Sequence, residues 1–150
     1  MPTVPKILAL DVGDVRIGVA VSDALGIAAH PVRTVRRTRP ERDLDAVLQA
    51  AAEQGVARIL VGLPRMLNNT LGVQAEKVQA FVESLRERTA LPVTLWDERL
   101  STVAAERALI QSGLTRERRR KVVDQVAAIY FLQGYLDYLA AGGNPDGPPD

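Results

Sequence analysis

The chain has no cysteine, one histidine, and among its aromatic residues only two Phe, one Trp and three Tyr in 150 positions. The lack of cysteine excludes disulfides, thiolate zinc sites and a cysteine nucleophile. His30, followed by Pro31, cannot supply a multi-histidine centre, so any metal would be held by oxygen ligands, as suits Mg²⁺ or Mn²⁺. No apolar run approaches the ~18 residues of a membrane helix, and residues 1–6 lack the apolar core of a signal peptide. The expectation is a cytoplasmic protein with no membrane partner. Charge of one sign is also scarce: the net value of +1 does not announce a nucleic-acid binder.

What is present suits a single globular domain. Hydrophobic content is 47% and charged content 25%, and a chain of this length buries roughly 70% of its unfolded surface. The domain is expected over residues 1–140, followed by a Gly- and Pro-rich disordered tail at 141–150. Charge is clustered: Arg33, Arg36, Arg37 and Arg39 form one basic group, and Arg116, Arg118, Arg119, Arg120 and Lys121 another. A solvated face and a phosphate-binding surface are both open for such runs.

Two apolar runs, residues 6–12 and 16–23, flank Gly13 and Asp14 and predict an antiparallel hairpin, which residues 27–35 extend as a third strand. Thr38 and Glu41 have the spacing of a capping box, with Pro40 tolerated in the first turn and Gly55 as the stop. Residues 58–63 form a short, almost wholly apolar run, typical of a strand buried on both faces of a parallel sheet. A loop at 65–72 leads to a helix marked by Val78, Phe81, Val82 and Leu85, then a strand at 93–96. A helix from Ser101 or Thr102 to about Ser112 follows. The last helix should begin near residues 116–121 and reach about Ala140, with Val123, Val126, Ala127 and Tyr130 on one face; Trp96 and Tyr130 read as core residues. The fold class is therefore α/β: a mixed five-stranded sheet with three N-terminal antiparallel strands, covered by helices, its first strand central.

Ligands of open α/β sheets gather at the carboxyl ends of the strands. Asp11 lies near the end of the first strand and Glu98 just past the end of the fifth, while Asp124 lies on the last helix with only methyl groups, Ala127 and Ala128, one turn on. Taken singly, Asp11 also suits a turn and Asp124 a helical ion pair. Three converging carboxylates, however, would repel one another without cations, so the arrangement fits a divalent-metal site. Such ions activate water and stabilise the leaving oxygen in phosphoryl displacement.

Three stretches resemble the signatures of one family. Asp11-Val12-Gly13-Asp14-Val15-Arg16-Ile17-Gly18-Val19-Ala20-Val21-Ser22-Asp23, Asp97-Glu98-Arg99-Leu100-Ser101-Thr102 and Lys121-Val122-Val123-Asp124-Gln125-Val126-Ala127-Ala128 are similar to motifs of the YqgF (RuvX) family. Val61-Gly62-Leu63-Pro64 resembles its glycine-leucine-proline loop. Members are described as Holliday junction resolvases and as nucleases that mature the ends of precursor 16S ribosomal RNA. The resemblance implies a ribonuclease H-like fold, metal-dependent phosphodiester hydrolysis with Mg²⁺ or Mn²⁺, and Asp11, Glu98 and Asp124 as the catalytic and metal-binding positions. Arg16, Arg99 and Lys121 are candidate phosphate binders, with pairing to Asp23 or Asp97 the plainer role for the two arginines. Gly13 and Gly62 would let backbone approach a ligand or simply form tight turns.

This sequence departs from the pattern at Val15, where the family commonly has a basic residue, and in the loop at 65–70. Asp14 is a turn acid or a peripheral metal ligand. The expected partner is structured RNA, precursor 16S ribosomal RNA or a pre-ribosome, with branched DNA as the alternative; the chain would act as a monomer or a homodimer. Two rivals remain: a noncatalytic RNA-binding or transcription-associated factor, and a nucleotide-binding domain related to actin-type ATPases. The second lacks the partner domain that would close over ATP.

Overall fold

A computed structural model describes residues 5–64, 72–97 and 116–147, with side chains of the last segment described from residue 126 onward. Strands β1 (Ile7–Val12), β2 (Arg16–Ser22) and β3 (Ala29–Arg36) precede helix α1 (Pro40–Gln54). Strand β4 (Arg58–Leu63), helix α2 (Val73–Arg88), strand β5 (Val93–Asp97) and helix α3 (Arg116–Ala140) follow. The expected helix near residues 101–112 and the loop at 65–71 fall outside the described residues.

The sheet order is β3-β2-β1-β4-β5, so β1 is central as the strand pattern predicts. It pairs antiparallel with β2 and parallel with β4, and β4 pairs parallel with β5. Alternation along each strand divides the core into two layers. Leu8, Leu10, Val12, Ile17, Val19, Ile59 and Val61 pack with Leu44 and Val47 of α1 and with Val78, Phe81 and Leu85 of α2. Ile7, Ala9, Ala20, Leu60 and Trp96 pack on the other face with Ala128, Phe131, Leu132, Tyr135 and Leu136 of α3. Edge strand β3 carries Pro31, and the register shifts between Val19 and Ala20 opposite it; both features discourage further strand pairing at this edge.

Two local expectations change. Helix α1 is capped at Arg39 with no side-chain cap bond, so the Thr38–Glu41 box does not form. Asp43 takes that role instead: its Oδ1 accepts from the Thr38 N–H at 3.0 Å, and its Oδ2 from Arg37 Nε at 3.2 Å. Pro40 stands in the first turn after the N-cap Arg39, and the buried Asp43 reaches back to the Thr38 N–H just before it. The buried stripe of α3 also differs: it runs through Ala128, Phe131, Leu132, Tyr135 and Leu136, while Val126, Ala127 and Tyr130 are only half-buried. The larger side chains of the C-terminal half set the helix rotation, because burying Phe131 and Tyr135 removes the most apolar surface. Residues 141–147, just beyond α3, make hydrogen bonds with its last turns and with β4. Tyr135 Oη donates to the Pro145 carbonyl, the Asn144 N–H donates to Tyr138 Oη at 3.0 Å, and Asp146 pairs with Arg58 at 3.4 Å. Burial raises the Tyr135 phenol above its ordinary pKa of 10.0, which keeps it a donor.

The β2–β3 turn is organised by Asp23, whose carboxylate accepts from the N–H groups of Leu25, Ile27 and Ala28. The bond from Ile27 leads in holding its pKa below the ordinary 3.8, against a smaller opposing effect of desolvation. A depressed carboxylate stabilises the fold above its unfolded value and loses that contribution as pH falls through the folded one. Asp23→Asn should therefore be less stable than wild type at neutral pH, and denaturant titrations should show the gap narrowing as pH drops below 3.8. A gap independent of pH would show that the charge plays no part.

Candidate active site

Strand β1 delivers its carboxylate by simple alternation. Ile7 and Ala9 face α3, Leu8, Leu10 and Val12 face α1 and α2, and Asp11 therefore lies on the α3 face at the carboxyl end of the central strand. It is half-buried, and its neighbour across β2 is Gly18. On the other side the register Leu10↔Val61 brings Gly62 of β4 to the next position. Asp11 is thereby flanked on both neighbouring strands by residues that carry no side chain. The sequence reading singled out Gly62 for close approach; the matching role of Gly18 emerges only from the strand register.

The hairpin after Asp11 is tightly held. The Gly13 N–H donates to the Arg16 carbonyl at 2.9 Å, and a Cβ at Gly13 would stand 2.9 Å from that same oxygen, which accounts for glycine there. Arg37 secures the turn twice: its N–H donates to the Val15 carbonyl at 2.8 Å, and its Nη1 to the Gly13 carbonyl at 2.9 Å. The same guanidinium reaches Asp43 and lies 5.6 Å over the Phe81 ring. From α2, Gln74 Nε2 donates to the Val12 carbonyl at 3.3 Å and Lys77 pairs with Asp14 at 3.3 Å. Asp14 thus forms an exposed ion pair of the kind that contributes little stability. Val15, at the family's basic position, is exposed.

The other expected site residues are placed unevenly. Arg16 opens β2 on the same face as Gly18 and is exposed; Asp11, Arg16 and Asp97 all engage partners. Asp97 ends β5 opposite Leu63. Glu98 and Arg99 follow it directly in sequence and lie outside the described residues. Lys121 and Asp124 lie in the N-terminal half of α3, where the helix backbone is described and the side chains are not. Position 124 precedes Ala128 by four residues and Phe131 by seven, so it belongs to the helical stripe that is buried further along. Among the described residues no group of three His, Cys, Asp or Glu side chains forms a metal-binding cluster.

Helix α3 is anchored at its far end. Tyr135 and Leu139 line a cavity of about 290 Å³ with Pro5, Ile7, Ala57, Arg58 and Pro145 at the amino end of β1 and β4. Trp96 of β5 packs on the Tyr135 ring at 5.3 Å and 82°, and on the Tyr138 ring at 5.3 Å and 55°. Gln133 accepts from the Ala29 N–H and donates to the Ile27 carbonyl. The C-terminal turns of α3 therefore sit at the amino end of β1, and its N-terminal turns lead away from that end. No helix among the described residues is long and apolar enough to cross a membrane.

The comparisons with known proteins agree with this arrangement. The family model RuvX, described as Holliday junction resolvase, matches residues 5–138. A Desulforamulus reducens protein named as a candidate pre-16S rRNA nuclease is 52% identical over 132 residues, covering 88% of this chain and 96% of that one. A Moorella thermoacetica protein of the same name is 51% identical over 138 residues, covering 92% and 99%. Among solved structures, Thermus thermophilus RuvC in complex with a Holliday junction substrate aligns with a TM-score of 0.64 at 14% identity, over 93% of this chain and 97% of that one. The Fowlpox virus resolvase with Holliday junction DNA aligns at 0.56 and 12% identity, over 89% and 98%. These distant likenesses establish the ribonuclease H-like fold. The sheet order, the placement of Asp11 and a match spanning nearly the whole chain lead to one conclusion: the chain belongs to the RuvX (YqgF) family.

Proposed function

We propose that this chain is a divalent-metal-dependent nuclease that hydrolyses phosphodiester bonds in structured RNA, with the end of precursor 16S ribosomal RNA as its substrate. The observation that carries this reading is the half-buried Asp11 at the carboxyl end of the central strand, with glycine on either side. Asp11, Glu98 and Asp124 would hold Mg²⁺ or Mn²⁺. The all-oxygen donor set fits these ions. A divalent ion supplies Lewis-acid polarisation of the phosphate and activation of water.

Chain geometry supports the convergence. From Tyr135 back to position 124 a helix rises about 16 Å, and from Ile7 to Asp11 a strand advances about 13 Å in the same direction, away from the cavity. These lengths are compatible with a site shared by Asp11 and position 124. Glu98 has the parity of Thr94 and Trp96, which is the parity of the α3 face. The three carboxylates would accept the metal, exclude other anions until it binds, and orient the phosphate. Arg16, Arg99 and Lys121 would steady its non-bridging oxygens.

The family description supports a second substrate, a four-way DNA junction cut by a homodimer. Single-turnover cleavage of a precursor 16S RNA fragment and of a four-way junction, each with Mg²⁺, Mn²⁺ or EDTA, separates the two. The expected result is metal-dependent cutting of the RNA and little of the junction. The reverse preference would identify a resolvase, and binding without cutting would identify a noncatalytic factor.

A further inference from the structure

The first basic cluster is divided by strand alternation. Arg33 pairs with Glu53 at the end of α1, and Arg37 with Asp43 in the first turn of α1, so both charges are matched on the α1 side of the sheet. Arg36 has the opposite parity. The register places it directly across from Arg16, on the α3 face and at the same end of the sheet as Asp11. Its side chain is exposed and has no hydrogen-bond or ion-pair partner among the described residues.

Like charges directly opposite one another on adjacent strands repel; Arg16 engages a partner of its own, whereas Arg36 has none among the described residues, and packing gives no reason for an arginine there. An anion between them would supply one, because a guanidinium grips two phosphate oxygens at once. The neighbouring row on this face runs Asp11, Gly18, Thr34 across β1, β2 and β3. At about 4.8 Å per strand, Thr34 stands roughly 10 Å from Asp11, with no side chain on the glycine between them. Arg16 and Arg36 lie two residues nearer the sheet end, about 7 Å further along the same strands. Both guanidinium groups thus belong to the face and the end of the sheet that carry Asp11.

We propose that Arg36, paired with Arg16, holds a backbone phosphate flanking the scissile one, so that the single-stranded flank of the RNA leaves across the β2–β3 edge. The inference rests on the nuclease reading and assigns Arg36 to substrate binding rather than to the reaction itself. The test measures binding of a fluorescein-labelled RNA hairpin with a single-stranded 5′ flank, as a function of salt, in EDTA and again with Mg²⁺ on the Asp11→Asn protein. Arg36→Gln should raise Kd roughly fivefold near 0.1 M salt and make the slope of log K against log salt shallower by about 0.7 to 1. Arg36→Lys should restore most of the slope, while Arg33→Gln, on the α1 side, should bind as wild type. A Kd and slope unchanged in Arg36→Gln, or an equal loss in Arg33→Gln, would overturn the clamp. So would failure of the wild type to bind. Wild type that binds with this slope yet never cuts would sink the nuclease reading and leave the phosphate clamp standing.

Discussion

Asp11→Asn should lower single-turnover cleavage by on the order of a thousandfold while leaving RNA affinity and melting temperature close to wild type. The size follows from the charge that is lost. If Asp11 anchors a cation, the amide withdraws a stabilisation of about 4 kcal/mol from the transition state, at ~1.4 kcal/mol per decade of rate. The substitution is nearly isosteric and keeps an acceptor oxygen for the partner that Asp11 engages, at a half-buried position flanked by glycine on β2 and β4, so packing changes little. If Asp11, Glu98 and Asp124 converge, removing one carboxylate also relieves repulsion, and thermal stability should hold or rise slightly. A mutant that cuts at the wild-type rate would show that Asp11 takes no part in the chemistry.

The second large effect is on stability. Asp43→Ala should destabilise the fold by about 2–3 kcal/mol, because truncating one partner of a buried ion pair strands the other. Asp43 is 3% exposed, and its two oxygens serve Arg37 and the Thr38 N–H. Arg37 keeps some contact with water, which holds the value below that of a fully buried pair. At roughly 2–4 °C per kcal/mol for a chain of this size, melting should fall by about 5–10 °C. Asp43→Asn, which keeps an acceptor for Thr38, should lie between. Denaturant unfolding of the three proteins measures this directly, and an Asp43→Ala protein within ~0.5 kcal/mol of wild type would show that the node is dispensable.

This node also bears on the site. Through Arg37, Asp43 supports the carbonyls of Gly13 and Val15, and these form the turn immediately after Asp11. Loss of the pair should loosen the hairpin, so the activity of the folded Asp43→Ala protein should fall several-fold even where folding is complete.

Much of the architecture was legible in the residues. The hairpin, the buried strand at Arg58–Leu63, the Gly55 stop and the long last helix all follow from short-range patterns, because alternation and helical period act over a few residues. The candidate position Asp11 was legible for a related reason: a carboxylate ending an apolar run conflicts with its surroundings unless something compensates it. Local pattern was less reliable where two choices differ little in energy. Thr38 and Asp43 both offer an oxygen to the start of α1, and Pro40 with the nearby Arg37 decides between them. On α3, two stripes of aliphatic residues compete, and the burial of Phe131 and Tyr135 against Ile7, Ala9 and Trp96 selects one.

The sequence by itself determined that any metal would meet oxygen ligands, the order of the described strands and helices, and the family, since these depend on residue type and near-neighbour spacing. Only the tertiary structure decided that Gly18 and Gly62 flank Asp11, that Asp43 rather than Glu41 reaches back over the start of α1, and that Arg36 parts company with Arg33 and Arg37 to stand opposite Arg16. Each of these depends on strand register or on the partner available across a layer. Contacts between residues far apart in the chain are set by how whole faces pack, and no window of neighbouring residues contains that information.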